Sequence, residues 1–201
     1  MLNRAIPLLS LIALSGLLGV SSGASADGQP EKPAAPKNID QTPPLVPIPN
    51  ARVTKTGLLV GGQPSPDQLK RIEEAGYRTV ITLRAESEPG DEGEQAAVER
   101  LGMKFVSIPV PGPAGLTEAN ARSLARALGQ QDALPAVVHC KSGQRASALL
   151  GLKAFVVDRV SAAAAIDLAK SLGLTRLEAA LRERIAEICR TDKSRNCEVL
   201  R

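Results

Sequence analysis

The sequence PAVVHCKSGQRASALLGLKAFVVD at residues 135–158 decides the fold of this protein. Residues 135–139 are apolar up to the histidine, which is typical of a short strand buried at the centre of a sheet. Residues 146–158 carry apolar side chains on nearly every face and predict a buried helix. Cys140, a short stretch with one glycine, and Arg145 lie between the two. The order of strand, tight loop and helix predicts one α/β unit.

Strand-like and helix-like segments alternate on the N-terminal side of this unit, and helices alone follow it. Residue types and spacing predict strands at 58–60, 77–83 and 105–110, and helices at 66–76, 94–101, 118–128, 161–172 and from 175 onward. Ser65 and Gln68 have the spacing of a capping box at a helix start, and Thr175 and Glu178 repeat it. We predict an α/β fold: a single three-layer domain with a mainly parallel central sheet and a helical C-terminal end.

Both ends of the chain have compositions typical of segments outside a packed domain. Residues 1–26 contain an early cation, an apolar run and small residues up to Ala26, the pattern of a secretory signal peptide cleaved after Ala26. The run is shorter than the roughly 20 residues that span a bilayer. We therefore expect a periplasmic or secreted protein without a membrane span after cleavage. A proline-rich linker is expected at 27–50, the domain at 51–190 and a tail at 191–201.

Composition narrows the function classes. The chain has 201 residues, 43% of them hydrophobic, which is enough for one core. Tyr77, Phe105 and Phe155 are its aromatic residues, so stacking platforms for bases or sugars are not expected. The net charge of +4 is too small to indicate a nucleic-acid partner. No cluster of His, Cys and carboxylate residues indicates a metal site, and no cofactor is expected.

The three cysteines differ in their expected states. Cys189 and Cys197 are close in the chain, and an oxidising compartment permits a disulfide between them. This pairing leaves Cys140 free. A free thiol in such a compartment indicates a function for Cys140.

The segment from Cys140 to Arg145 has the features of an anion site. A thiolate is stabilised where backbone N–H groups converge at a helix start beside a fixed cation. Lys141, Ser142, Gly143 and Gln144 supply the amides, and the Arg145 fork can hold two oxygens of a tetrahedral oxyanion. A buried apolar cysteine beside a surface arginine is the alternative. His139 either hydrogen-bonds to the loop and shapes it or is an ordinary sheet residue.

The motif HCKSGQRA resembles the active-site loop of cysteine-dependent phosphatases and rhodaneses. The stretch GLLVGGQPSPDQLKRIEEAGYRTVITLR resembles the opening of the phosphatase-like family named after beta-lactamase hydrolase-like proteins, which is similar to dual-specificity phosphatases. The resemblance covers roughly residues 53–158. It implies a cysteine phosphatase-like fold, Cys140 as the nucleophile, Arg145 as the oxyanion clamp and the amides of residues 141–144 as the cradle.

The chain departs from the phosphatase pattern in three ways. Four residues separate Cys140 from Arg145, as in rhodaneses, where phosphatases of this type usually have five. The loop VPGPAGL lacks the aspartate that serves as general acid there, a loss of about two to four orders of magnitude in rate on a poor leaving group. Glu118, Asp91 and Glu92 are substitute candidates. Ala146 replaces the usual hydroxyl after the arginine, and Ser147 follows one place later.

Three functions remain open at this point. The first is a phosphatase-like hydrolase acting on a phosphoester through a covalent cysteinyl intermediate. The second is a rhodanese-type sulfurtransferase, in which Cys140 carries a sulfane sulfur as a persulfide. The third is a non-catalytic module that binds a small oxyanion or exchanges disulfides. Arg84, at the end of a predicted strand, either faces a ligand or is a solvated charge.

Overall fold

The computed structural model describes residues 43–90 and 93–197. The predicted signal peptide, most of the predicted linker, Asp91, Glu92 and residues 198–201 lie outside these ranges. The strands within them are β1 (Arg52–Val53), β2 (Leu58–Gly61), β3 (Thr79–Thr82), β4 (Lys104–Ser107) and β5 (Ala136–His139). The helices are α1 (Pro66–Glu74), α2 (Glu94–Arg100), α3 (Glu118–Leu128), α4 (Gln144–Val156), α5 (Ala162–Ser171) and α6 (Glu178–Thr191).

The strands form one five-stranded sheet in the order β1-β2-β5-β3-β4. All neighbours are parallel except β1 and β2. β5 lies in the middle, where Val138 stands opposite Val60 of β2 and Ile81 of β3. The predicted mainly parallel sheet and the central position of the strand before Cys140 are confirmed.

Each face of the sheet packs against its own set of helices, so the domain has three layers. Alternate strand residues point to opposite faces. Leu59, Val80 and Val137 pack on one face with apolar side chains of α1 and α2. Their neighbours Val60, Ile81 and Val138 pack on the other with apolar side chains of α3 to α6. The α/β class predicted from the order of elements is therefore correct.

The two predicted capping boxes have different outcomes. At α1 the Ser65 side chain accepts from the amide of Gln68, and the Gln68 side chain accepts from the amide of Ser65, so this box is confirmed. At α6 the residue before the helix is Leu177, with no side-chain cap. The Thr175 hydroxyl instead lies 3.2 Å from Oε1 of Gln144. The prediction for Thr175 is wrong because the Thr175 amide and hydroxyl donate to the Gln144 side chain, which is distant in sequence, and not to a residue of the same helix start.

Packing extends beyond the predicted domain at both ends. Val46 and Ile48, assigned to the linker from sequence, are buried beside Leu59. Cys189 and Cys197 form a disulfide that folds the first part of the tail back onto α6. Arg195, within the closed segment, donates to two carbonyls at the end of α4. Among the described residues, no helix is long and apolar enough to cross a membrane.

Candidate active site

Cys140 follows the central strand directly and lies at the carboxyl end of the sheet, where ligand sites of parallel sheets form. The residue is 1% exposed, and its thiol is not in a disulfide. Gly143 adopts φ +84°, a left-handed conformation that turns its amide back toward the sulfur. The Gly143 amide donates to Cys140 Sγ at 3.1 Å. The backbone therefore holds an N–H donor directly against the sulfur.

The turn after β2 supports the cysteine loop, which we define as residues 140–145. The Cys140 amide donates to the Gly61 carbonyl at 3.3 Å. A Cβ on Gly62 would lie 2.9 Å from the carbonyl oxygen of Lys141, closer than two such atoms can approach. Gly62, directly after β2, therefore allows the two backbones to pack in direct contact at Lys141, and this packing fixes the loop.

Arg145 lies in the first turn of α4, which begins at Gln144, two residues earlier than predicted. Its Nη1 donates to the carbonyls of Leu83 at 3.3 Å and Val110 at 3.0 Å, and to Glu88 Oε1. Its Nη2 donates to Glu88 Oε2 at 2.7 Å. The hydrogen bonds that Arg145 donates to Glu88, and then the charge of Cys140, hold the pKa of Arg145 above its usual value. The Arg145 guanidinium thus lies beside both Glu88 and the Cys140 sulfur.

Glu88 is a site residue that sequence reasoning missed. It lies in the β3 loop, which we define as residues 83–90. Its hydrogen bond to Arg145 is the main reason that its pKa falls to about 2. The carboxyl group is therefore ionised at neutral pH and cannot donate a proton as a general acid. Its role in this geometry is to orient the Arg145 fork.

Arg84 stabilises the conformation of the β3 loop through hydrogen bonds to its carbonyls. Its side chain is 2% exposed, and it donates to the carbonyls of Glu88, Pro89 and Gly90. It also donates to Gln63 Oε1 at 2.7 Å. The interpretation of Arg84 as a solvated charge is wrong, because its side chain is buried and donates to the loop and to Gln63. The interpretation of Arg84 as a ligand-facing residue stays a prediction. Arg84 acts on the site indirectly, by placing Glu88.

His139 belongs to a buried polar cluster beside Arg84. Its Nε2 lies 3.1 Å from Glu94 Oε1, which also accepts from Gln63 at 2.7 Å. The short contact is not aligned as a hydrogen bond, and neither ring nitrogen has a hydrogen-bond partner within the described residues. His139 therefore makes no bond that shapes the cysteine loop. It is a buried sheet residue facing Glu94.

Ser147 and Gln144 tie the cysteine loop to the C-terminal helices. The Ser147 hydroxyl donates to the carbonyls of Gly143 at 3.0 Å and Leu172 at 2.7 Å. Ser147 therefore supports the loop backbone, and its hydroxyl is not directed at the sulfur. Gln144 Nε2 donates to the Gly173 carbonyl at 2.8 Å, so its side chain points away from Cys140.

The structure describes one of the three candidates for a general acid. Glu118 pairs with Arg122 on the surface of α3. Asp91 and Glu92 lie outside the described residues. The loop after β4, where the phosphatases carry their acid, forms a short 3-10 turn at Gly112–Gly115.

The cysteine loop opens into a cavity of about 500 Å³. Four residues of the predicted site line it together with Cys140: Lys141, Ser142, Gln144 and Arg145. Residues from three other parts of the chain complete the lining: Glu88, Gly112, Arg176 and Leu177. The fold thus gathers a buried thiol, an amide donor and cations around one concave surface.

Residues 50–186 match the model of the family described as a DSP-PTPase phosphatase fused to NAD+ kinase. The matched span contains the cysteine loop and nearly the whole sheet. The chain belongs to this family. The resemblance to phosphatase-like domains drawn from the motifs is confirmed.

Two curated relatives of this family member are beta-lactamase hydrolase-like proteins. That of Xylella fastidiosa is 36% identical over 107 residues, which are 51% of this chain and 24% of the relative. That of Agrobacterium fabrum is 30% identical over 120 residues, 58% of this chain and 27% of the relative. The chain thus spans about a quarter of the length of the curated relatives it matches.

Solved structures share the fold at low identity. A DUF442 protein of Shewanella putrefaciens CN-32 has a TM-score of 0.54 and 22% identity, covering 74% of this chain and 92% of that one. TpbA of P. aeruginosa, solved as a variant in complex with pTyr, has a TM-score of 0.51 and 18% identity, covering 68% and 81%. These likenesses establish that the family member has the fold of tyrosine phosphatase-like proteins.

Proposed function

We propose that this protein is a cysteine-dependent phosphatase that hydrolyses phosphoesters through a cysteinyl-phosphate intermediate on Cys140. The observation that carries the proposal is the fixed triplet of sulfur, Gly143 amide and Arg145 guanidinium at one cavity. Family membership supports the reaction class.

The reaction has two displacement steps. In the first, the Cys140 thiolate attacks phosphorus, an S–P bond forms and the P–O bond to the leaving group breaks. In the second, water attacks phosphorus, the S–P bond breaks, and phosphate leaves with regeneration of the thiolate. The loop amides and Arg145 stabilise the charge on the equatorial oxygens in both transition states.

The leaving group sets the range of good substrates. Glu88 is the one acidic residue among the described residues that line the cavity. Its pKa is about 2, so the carboxyl group has no proton to donate near neutral pH. The departing oxygen then takes its proton from water. We expect esters with good leaving groups, such as aryl phosphates, to be hydrolysed much faster than alkyl phosphates.

A sulfurtransferase is the second candidate, favoured by the four-residue spacing between Cys140 and Arg145. Here the Cys140 thiolate would attack the outer sulfur of thiosulfate and release sulfite. The resulting persulfide would pass its sulfur to cyanide, which gives thiocyanate and the free thiolate.

One experiment separates these candidates. The purified protein is assayed for phosphate release from p-nitrophenyl phosphate and for thiocyanate formation from thiosulfate and cyanide, with Cys140→Ser as the control in both. We expect phosphate release that is at least about 10³-fold lower in the variant. Thiocyanate formation alone would replace the phosphatase by the sulfurtransferase. Inactivity in both assays would favour a non-catalytic anion-binding or redox module.

A further inference from the structure

Two cations besides Arg145 line the mouth of the cavity. Lys141 is exposed in the cysteine loop, and Arg176 is exposed just before α6. Within the described residues, neither has a carboxylate within salt-bridge distance. Other surface cations do have one, often three or four residues away in the same helix. Among the described residues, the lining therefore carries three cations and one carboxylate, that of Glu88, which is already paired with Arg145.

The backbone of Arg176 is held in place by the cysteine loop itself. Gln144 Oε1 accepts from the amide of Arg176 at 2.8 Å and from the amide of Thr175 at 2.9 Å. Gln144 Nε2 donates to the Gly173 carbonyl at 2.8 Å. The Gln144 side chain thus forms hydrogen bonds with three backbone groups of the turn that leads into α6. The position of Arg176 depends on the same residues that surround the sulfur.

The guanidinium of Arg176 is held there as well. Its Nη2 donates to the Ser142 hydroxyl at 3.0 Å, and Ser142 is two residues after Cys140. A planar guanidinium has five N–H donors, and among the described residues Ser142 is the hydrogen-bond acceptor of the Arg176 side chain, so other donors can serve a second acceptor. Arg176 therefore places a positive charge at the same cavity as Cys140.

Concentrating like charges around a small cavity opposes folding unless an anion neutralises them. One oxyanion held by the loop amides and Arg145 would leave Lys141 and Arg176 uncompensated. A second anionic group on the same ligand, a few Å from the first, could form ion pairs with Lys141 and Arg176.

We propose that Arg176, together with Lys141, forms a second anion subsite beside the cysteine loop. The preferred substrates are then phosphoesters that carry another phosphate or carboxylate next to the scissile phosphate. The substrate assignment rests on the proposed phosphatase function, whereas the subsite itself is tested by binding alone.

The test measures binding of inorganic phosphate and inorganic pyrophosphate to the whole protein by calorimetry at about 0.15 M ionic strength, where long-range effects of charge are screened. We expect pyrophosphate to bind about tenfold more tightly than phosphate. In Arg176→Gln the two affinities should come within about twofold of each other. Arg190→Gln is the matched control, because it removes the same charge from the far end of α6, about 20 Å away.

The outcomes separate the two proposals. Equal affinities in the unchanged protein, or a preference for pyrophosphate that Arg176→Gln and Arg190→Gln reduce equally, would overturn the subsite. These results would leave a Cys140-dependent phosphatase intact. A preference that depends on Arg176 in a protein without Cys140-dependent turnover would support the subsite and remove the phosphatase.

Discussion

The cysteine loop after β5 and the β3 loop lie side by side, since β3 and β5 are adjacent and parallel, yet they are built in different ways. The reactive part of the cysteine loop is held by its own backbone amides, that of Cys140 on the Gly61 carbonyl and that of Gly143 on Cys140 Sγ. The β3 loop is held by one buried side chain, Arg84, which binds three of its carbonyls.

The two loops meet at one ion pair. Arg145 from the cysteine loop and Glu88 from the β3 loop are 57 residues apart in sequence and form a bidentate contact. A short contiguous motif therefore supplies the reactive groups Cys140 and Arg145, while Glu88, which orients Arg145, comes from the loop after a neighbouring strand. Substitutions on each side of the pair test this division.

The largest effect is expected for Arg145→Lys. Lysine keeps the charge but loses the planar fork that binds two oxygens at once. We expect kcat/KM for p-nitrophenyl phosphate to fall about 10³-fold. Arg126→Lys, a surface change on α3, is the control. A fall of less than tenfold would show that the charge of Arg145 matters and its geometry does not.

A smaller effect is expected for Glu88→Gln, which keeps the size of the side chain and removes its charge. We expect kcat to fall about tenfold to a hundredfold while KM changes little, because Arg145 remains present but less well oriented. Glu86→Gln is the matched control, because Glu86 is exposed in the same loop. If instead KM falls and kcat rises, Glu88 competes with the substrate for Arg145, and its positioning role is wrong.

The smallest effect concerns stability at acid pH. The pKa of Glu88 in the folded protein is about 2, below its ordinary value of 4.5. The stabilisation is therefore complete above about pH 4.5 and is lost as the pH falls toward 2. We expect urea unfolding to show an advantage over Glu88→Gln of about 1 kcal/mol at pH 6. The advantage should disappear near pH 2, and one that persists there would contradict the ion pair.

Sequence reasoning worked best where a signal is local. The helix bounds of α3 were predicted to the residue, and the Ser65 capping box was confirmed, because each depends on neighbours within one turn. The same reasoning failed at Thr175, whose hydroxyl and amide bind Gln144 from another element. It also did not predict that Arg84 is buried, because three of the acceptors of its side chain are backbone carbonyls, which no residue type reveals.

The sequence by itself determined the α/β class, the parallel arrangement around the strand at 136–139 and the pairing of Cys140 with Arg145 in one loop. These follow from periodicity and from a spacing too short to be separated in space. Only the tertiary structure decided that Glu88 binds Arg145, that Arg84 shapes the loop carrying Glu88 and that Arg176 stands at the cavity. The physical reason is that such contacts depend on which strands lie side by side, and the energy of that choice is spread over the whole core.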